Sequence, residues 1–206
     1  MTATKPNPSV AAKPRSYIPK YLIRETIDGE PFYYKGYRAV LTGKKTLEDI
    51  MGASILQSYI VSFLFEVLVR LINKQKYRIL TSEPGLHIDR RNNLSGDILI
   101  YERATLTPDK ITTKYADIPA KIVLEVDIKI DETKSSDWDY VQRKTQKLLD
   151  FGTEKVIWIF TKTKKVMVAT PDAPWLTYHW DNNLEIIEGA MFNIGAYLAE
   201  EGIVVE

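Results

Sequence analysis

The chain has 206 residues, 45% of them apolar, with 28 Lys and Arg against 27 Asp and Glu and a formal charge of +1. That is the size and composition of one soluble globular domain, and a net charge near zero excludes a bulk attraction for polyanions. The absence of cysteine excludes a disulfide scaffold, a thiolate zinc site, an iron–sulfur cluster and a thiol nucleophile. Two histidines exclude a His-rich metal centre, so any metal must be hard and oxygen-liganded.

Residues 1–20 hold Pro6, Pro8, Pro14 and Pro19 among Lys, Ala, Thr and Ser. With few apolar groups to offset ordering entropy they are expected to form a flexible arm, and one folded domain is expected over 21–206. No apolar run follows the first lysine as in a secretion signal. The longest apolar stretch, 59–69, contains Ser62 and Glu66 and is too short for a bilayer span, so a cytoplasmic protein without membrane contact is expected.

Asp28-Gly29 between β-formers predicts a turn feeding a short strand through Phe32, Tyr33 and Tyr34. Thr46 followed by Asp49 predicts a helix start. The apolar residues Ile50, Ile55, Tyr59, Ile60, Phe63, Leu64, Val67, Leu68 and Leu71 predict one helix running to Lys74, largely buried against a sheet. Apolar, Val/Ile-rich runs predict strands at 77–80, 97–101, 121–128, 155–160 and 166–169, covered on both faces, with 161–164 joining the last two as a hairpin. Trp138, Val141, Thr145, Leu148 and Leu149 have helical spacing, and Gly152 supplies the stop. A short helix is predicted at 191–200. This order describes an α/β or α+β fold. Six acids and no Lys or Arg occupy 181–206, which leaves room for a positive face upstream.

The chemistry concentrates in two strands. Asp97 opens one apolar strand, and Glu125 lies inside another, where an unpaired charge costs several kcal/mol. Side chains alternate, so Glu125, Asp127 and Lys129 share one face. Carboxylates gathered at the rim of an apolar sheet repel one another unless a cation binds between them, which points to Mg²⁺ or Mn²⁺. The bland reading is a turn Asp and a strand Glu paired with a lysine such as Lys121.

An acid opening one strand, an acid inside the next and then a basic helix is the order found in the PD-(D/E)xK nuclease superfamily. More specifically, the chain resembles the Uma-two family of restriction-endonuclease-like proteins, common in bacteria, over about residues 21 to 206. The resemblance is carried by Glu25-Thr26-Ile27-Asp28-Gly29-Glu30, the helix from Ile50-Met51-Gly52-Ala53-Ser54, Gly96-Asp97 and Val123-Leu124-Glu125-Val126. It continues through Lys144, Phe151-Gly152-Thr153-Glu154-Lys155-Val156-Ile157-Trp158 and Leu184-Glu185-Ile186-Ile187-Glu188-Gly189. It implies a restriction-endonuclease-like core, a mixed central β-sheet flanked by helices, and a metal-dependent endonuclease acting on nucleic acid, DNA foremost. Asp97 and Glu125 would hold the metal.

The chain departs from the family in three places. Gly96 stands where proline is usual, Asp127 replaces the lysine two residues after the second acid, and Ile128 replaces a frequent serine. Lys129 is on the right face but roughly 13 Å further along the strand. The resemblance places the site lysine on the following helix at Lys144, which is preferred. Asp127 would add a ligand or a proton-carrying acid. Lys129, Arg143 and Lys147 are the candidate phosphate contacts, the alternative being a solvated charged helix face. Glu25, Glu30 and Gln57 read as turn or positioning residues, Glu66 as the partner of Arg70, and the tryptophans as packing aromatics. A homodimer is expected because symmetric dimers are common and duplex cleavage needs two sites. The rival reading is a catalytically silent scaffold that binds nucleic acid or protein.

Overall fold

The computed structural model describes residues 18–130 and 134–205, so positions 1–17 of the expected arm lie outside the described residues. Strands β1 (Ile23–Ile27) and β2 (Glu30–Tyr33) form the first hairpin. Its loop residues, Asp28 and Gly29, have φ of 55° and 81°, the left-handed pair that matches a two-residue turn to the twist of the strands. The pairing slips on one side: Ile23 faces Tyr33 and Glu25 faces Phe32, which leaves Arg24 as the extra residue of a bulge.

Two short helices follow, α1 (Tyr37–Leu41) and α2 (Glu48–Met51). Thr46 and Asp49 exchange the expected capping bonds, at 2.8 Å and 3.4 Å. The single helix predicted from 46 to 74 does not form, however. The chain becomes extended at Gly52 and restarts as α3 (Ile55–Leu71), where the Ser54 hydroxyl accepts the Gln57 N–H at 3.1 Å. Glycine is a poor helix former and serine a strong cap, so these local signals override the apolar run. Nor is α3 buried around its circumference: Ile60, Leu64 and Leu68 form the buried stripe, while Ile55, Phe65 and Leu71 are exposed.

Next come β3 (Tyr77–Thr81), the unpredicted hairpin of β4 (Gly85–Asp89) and β5 (Asn92–Ser95), β6 (Ile98–Glu102) and β7 (Ile122–Asp127). The helix α4 (Ser135–Phe151) has its expected span and stops at Gly152, whose φ is 118°. The hairpin of β8 (Lys155–Phe160) and β9 (Lys165–Ala169) follows, then β10 (Leu176–His179), β11 (Leu184–Ile187), β12 (Ala190–Phe192) and α5 (Ile194–Glu200). The last helix starts three residues later than predicted. Residues 190–192 pair with β11, and Asn193 caps α5 by accepting the Ala196 N–H at 2.8 Å.

The main sheet has six strands in the order β10-β9-β8-β7-β6-β3, with β7 and β8 parallel and the other neighbours antiparallel. Strand alternation divides the core into two layers. Ile98, Ile100, Leu124, Val126, Ile157 and Ile159 pack toward α3, β12 and α5. Leu99, Tyr101, Val123, Trp158 and Phe160 pack toward α4 and a smaller sheet, β2-β1-β5-β4. Each fully buried aliphatic side chain contributes about 1.5–3 kcal/mol. Glu125, between Leu124 and Val126, belongs to the α4 layer by parity, and β1 covers that layer from outside.

Candidate active site

The register of β6 and β7 pairs Ile98 with Leu124 and Leu99 with Val123, which carries Asp97 to the position beside Glu125. The Asp97 N–H donates to the Leu124 carbonyl at 3.1 Å, and the Val126 N–H donates to Asp97 Oδ2 at 2.6 Å. Asp97 Oδ1 accepts from Gln57 Nε2 at 3.3 Å, so the break before α3 brings the first turn of that helix onto the site. A Cβ on Gly96 would lie 2.7 Å from Leu99 Cδ2, 2.9 Å from Val123 Cγ1 and 3.4 Å from Glu125 Oε1. The backbone passes too close to its neighbours to take a side chain without a shift, which is why glycine suits this position.

The inward stripe of α4 is Val141, Lys144, Thr145, Leu148 and Leu149, and it points Lys144 at this pair of strands. Lys144 Nζ is 2.7 Å from Glu25 Oε1, to which it donates, and 2.8 Å from Glu125 Oε1. The second contact is an ion pair without hydrogen-bond alignment, and Glu125 Oε1 has no aligned donor among the described residues. Glu25 is fully engaged. Ser95 donates its N–H and hydroxyl to Oε1 at 2.9 and 3.0 Å, and the Tyr140 hydroxyl donates to Oε2 at 2.6 Å. The ammonium also lies 5.8 Å from the Tyr140 ring centroid and 5.5 Å from that of Trp158, within cation–π range.

Burial sets the electrostatics. Lys144 is 0% exposed, Glu25 and Glu125 2%, and Asp97 8%. Desolvation pushes the Glu125 carboxyl up to about 8; Lys144 opposes this, while the charges of Asp97 and Glu25 reinforce it. Asp97 is likewise raised by burial, against the pull of the Val126 N–H and Lys144. In Glu25 burial acts in the same direction, but the charges of Lys144 and Arg24 with the Lys144 and Tyr140 hydrogen bonds win and bring it down to about 2. Burial also disfavours the Lys144 cation, yet Glu125 and Glu25 outweigh it and raise its pKa above the ordinary value. Arg24, re-aimed by the bulge in β1, is held charged by Tyr140, Glu25, Glu125 and Asp127.

The other expected residues are placed differently. Asp127 Oδ1 accepts the N–H groups of Lys129 and Ile130 at 2.6 and 2.5 Å, so that oxygen closes the turn after β7. β7 ends at Asp127, and Lys129 is an exposed loop residue rather than a strand residue on the face of Glu125. Arg143 and Lys147, expected as phosphate contacts, lie in ion pairs with acids of the first hairpin and of α4. Arg143 reaches Glu30 at 2.6 Å, Asp28 at 3.6 Å, Asp139 at 3.7 Å and the face of Phe32, and Lys147 reaches Asp28 at 2.7 Å. Lys121 pairs with Glu102 and Glu154 and leaves Glu125 to Lys144. Glu66 pairs with Arg70 at 3.4 Å, and Trp158 and Trp180 are buried. His87 and His179 are exposed.

Three contributors were missed or underrated: Arg24, Glu25 and Tyr140. Glu25 lies at an inward position of β1, two residues before buried Ile27, and Tyr140 one helical turn before Lys144. Both signals are periodicities of the kind that identified the strand acids.

No family model and no curated protein matches the chain. Among solved structures it is similar to the crystal structure of "a putative nuclease belonging to DUF820" from Anabaena variabilis ATCC 29413, at 16% identity and a TM-score of 0.54, over 79% of this chain and 80% of that one. At that identity the likeness shows the fold: a mixed central sheet flanked by helices, like that of the neighbour. Among the described residues no helix is long and apolar enough to cross a membrane.

Proposed function

We propose that the protein is a divalent-metal-dependent endonuclease that hydrolyses phosphodiester bonds in nucleic acid, DNA foremost, at Asp97, Glu125 and Lys144. The observation that carries this reading is the meeting of two buried strand carboxylates and a buried ammonium from β6, β7 and α4, on a scaffold similar to that of the DUF820 neighbour.

The donor set fits a hard cation such as Mg²⁺ or Mn²⁺. Among the described residues no cluster of three acids or histidines forms a cage. One or two carboxylates with water and substrate phosphate nevertheless suffice for Mg²⁺, and Asp97 and Glu125 supply them. Their mutual repulsion, offset at Glu125 only in part by the Lys144 ammonium 2.8 Å from Oε1, is relieved further by a positive charge between them. When bound, such a cation supplies an activated water nucleophile and neutralises charge on the phosphoryl oxygens. Lys144 keeps its proton between two carboxylates, so its part is electrostatic: it stabilises the negative charge that grows on phosphorus oxygens and does not accept a proton. Glu25, Ser95 and Tyr140 hold that ammonium in place, and Gln57 fixes the rotamer of Asp97.

A silent binding scaffold is the second reading, favoured by the complete enclosure of Lys144. Incubating plasmid DNA, a DNA oligonucleotide and RNA with Mn²⁺ or Mg²⁺, for the wild type and Glu125→Gln, separates the two. Cleavage that needs the metal and disappears in the variant supports the nuclease. Cleavage that survives the variant or a chelator overturns it, and nucleic-acid binding indifferent to metal, without cleavage, supports the scaffold.

A further inference from the structure

Beside the acidic centre lies a cleft of about 370 Å³ that the reaction outlined above does not use. Its lining takes Phe32, Tyr33, Tyr34 and Tyr37 from a single stretch of chain and exposed Lys129 from the segment after β7. The three tyrosines are half-buried, and the rings of Tyr33 and Tyr37 stack with centroids 4.7 Å apart and an interplanar angle of 27°. Phe32 is committed elsewhere, against Tyr140 and beneath Arg143, and Tyr37 is stacked on Tyr33 with the Arg38 guanidinium 5.8 Å from its centroid, so Tyr33, backed by Tyr37, and Tyr34 are the remaining rings of the lining.

Two residues connect this cleft to the acids. Gln57 lines it and donates to Asp97, and Tyr140 lines it and donates to Glu25. Arg24, the bulged residue of β1, lines it as well. A bulge beside a site re-aims one side chain without disturbing the next, and here it allows adjacent residues to serve the cleft and the Lys144 pair. Arg24, Lys35 and Lys129 are balanced in the lining by Glu83, Asp127 and Asp137, and Lys35 lies 3.8 Å from Asp137, so the cleft as a whole carries no net formal charge and suits a neutral ring with a phosphate on either side.

We infer that this cleft takes one unpaired nucleobase of the strand being cut, stacked on the tyrosine faces, with Arg24 and Lys129 meeting the flanking phosphates. The inference rests on the nuclease reading and adds to it a preference for single-stranded or locally opened substrate. Aromatic faces serve any base, since every base has a π-face, and cations along the rim track the backbone. The volume is at the low end for small-ligand sites, enough for a nucleoside and too small for a base pair carried between two backbones.

The test uses a labelled single-stranded DNA oligonucleotide, the same strand with abasic sites in place of its central bases, and the matching duplex, with Ca²⁺ replacing the catalytic metal. Abasic sites keep every phosphate and remove only the base. The expected result is single strand bound in preference to duplex, with abasic binding weaker by roughly tenfold, the scale of one stacked base. Tyr37→Leu and Tyr33→Leu should erase the difference between intact and abasic strands while leaving the salt dependence unchanged. Equal affinity of the wild-type protein for intact and abasic strands overturns the inference, as does discrimination that persists in both variants. Cleavage in Mn²⁺ without base-dependent binding defeats the cleft alone, and base-dependent binding without cleavage defeats the nuclease reading alone.

Discussion

Lys144 and Glu25 form a buried ion pair with an Nζ–Oε1 distance of 2.7 Å, joining α4 to a strand 119 residues earlier in the chain. Glu25 has spent its oxygens on Lys144, Ser95 and Tyr140, whereas Glu125, on the other side of the ammonium, retains an unaligned oxygen. The two glutamates are therefore engaged differently: Glu25 is held by directed hydrogen bonds, and Glu125 faces the same ammonium in an ion pair at 2.8 Å.

Breaking such a pair from one side strands the remaining charge in the interior. Lys144→Met is expected to cost about 3–5 kcal/mol, measured by urea unfolding. Adding Glu25→Gln removes the stranded carboxylate, so the double variant should be more stable than Lys144→Met alone. Activity should stay lost in both. A double variant whose cost equals the sum of the two singles would show that the pair is not coupled.

The metal assignment is checked without any substrate. Mn²⁺ titrated calorimetrically into the wild type should give a binding isotherm that Asp97→Asn and Glu125→Gln both abolish, with their far-UV spectra unchanged. Asp127→Asn should retain binding, because Asp127 Oδ1 is engaged by the turn at Lys129 and Ile130. Loss in Asp127→Asn with retention in Asp97→Asn would relocate the site.

Stability in chelator should carry the opposed signatures of the two glutamates. Glu125 is raised from 4.5 to about 8, chiefly by burial, so its contribution to folding is full below the lower value and is lost as pH rises through the upper one. Glu25 is lowered from 4.5 to about 2, where Lys144 and Arg24 overcome burial, so its contribution is present above the higher value and lost as pH falls through the lower. The melting temperature of metal-free protein is thus expected to decline as pH rises from about 5 toward 8. Glu125→Gln should flatten that decline, and an unchanged slope in that variant would assign it to another group.

The strand acids and Lys144 were legible because their signals are local. A charge inside an apolar strand has to be answered, and Lys144 falls on the inward stripe that Val141, Thr145 and Leu148 define. The hairpin at Asp28-Gly29 was legible for the same reason. The β4–β5 hairpin was not, since Asn92, Asn93 and Ser95 resemble loop residues and their strand state comes from pairing with β4 and β1. The break at Gly52 was written in Ser54 and Gln57, which have the spacing of a capping pair, but nine apolar positions masked it. The role of Glu25 depends on a contact 119 residues away, and no window of sequence contains both partners.

Pairing also separates the cations proposed to meet a phosphate. Arg143 and Lys147 are satisfied by Asp28, Glu30 and Asp139, while Lys129 is exposed on the cleft wall. Lys129→Ala is expected to reduce the salt slope of nucleic-acid binding by about one contact. Arg143→Ala should leave the slope unchanged and lower stability by loosening the first hairpin on α4. A slope that falls in Arg143→Ala instead would mean that its acids release it to the substrate.

Gly96 tests how tightly the scaffold holds the acids. A methyl group there would approach Leu99 and Val123 to 2.7 and 2.9 Å, both closer than carbon atoms tolerate, and would touch Glu125 Oε1 at 3.4 Å. Gly96→Ala is therefore expected to cost about 1–3 kcal/mol in urea unfolding, the range for overpacking a buried position. Its Mn²⁺ affinity should fall as well, because the relief of the clash moves the two strands that carry the ligands. Gly96→Pro would install the residue usual in the Uma-two resemblance and should be worse, since it also removes the N–H that Pro84 accepts at 3.3 Å. If Gly96→Ala melts and binds Mn²⁺ like the wild type, β6 and β7 yield at this point, and the separation of Asp97 and Glu125 is not set by close packing around Gly96.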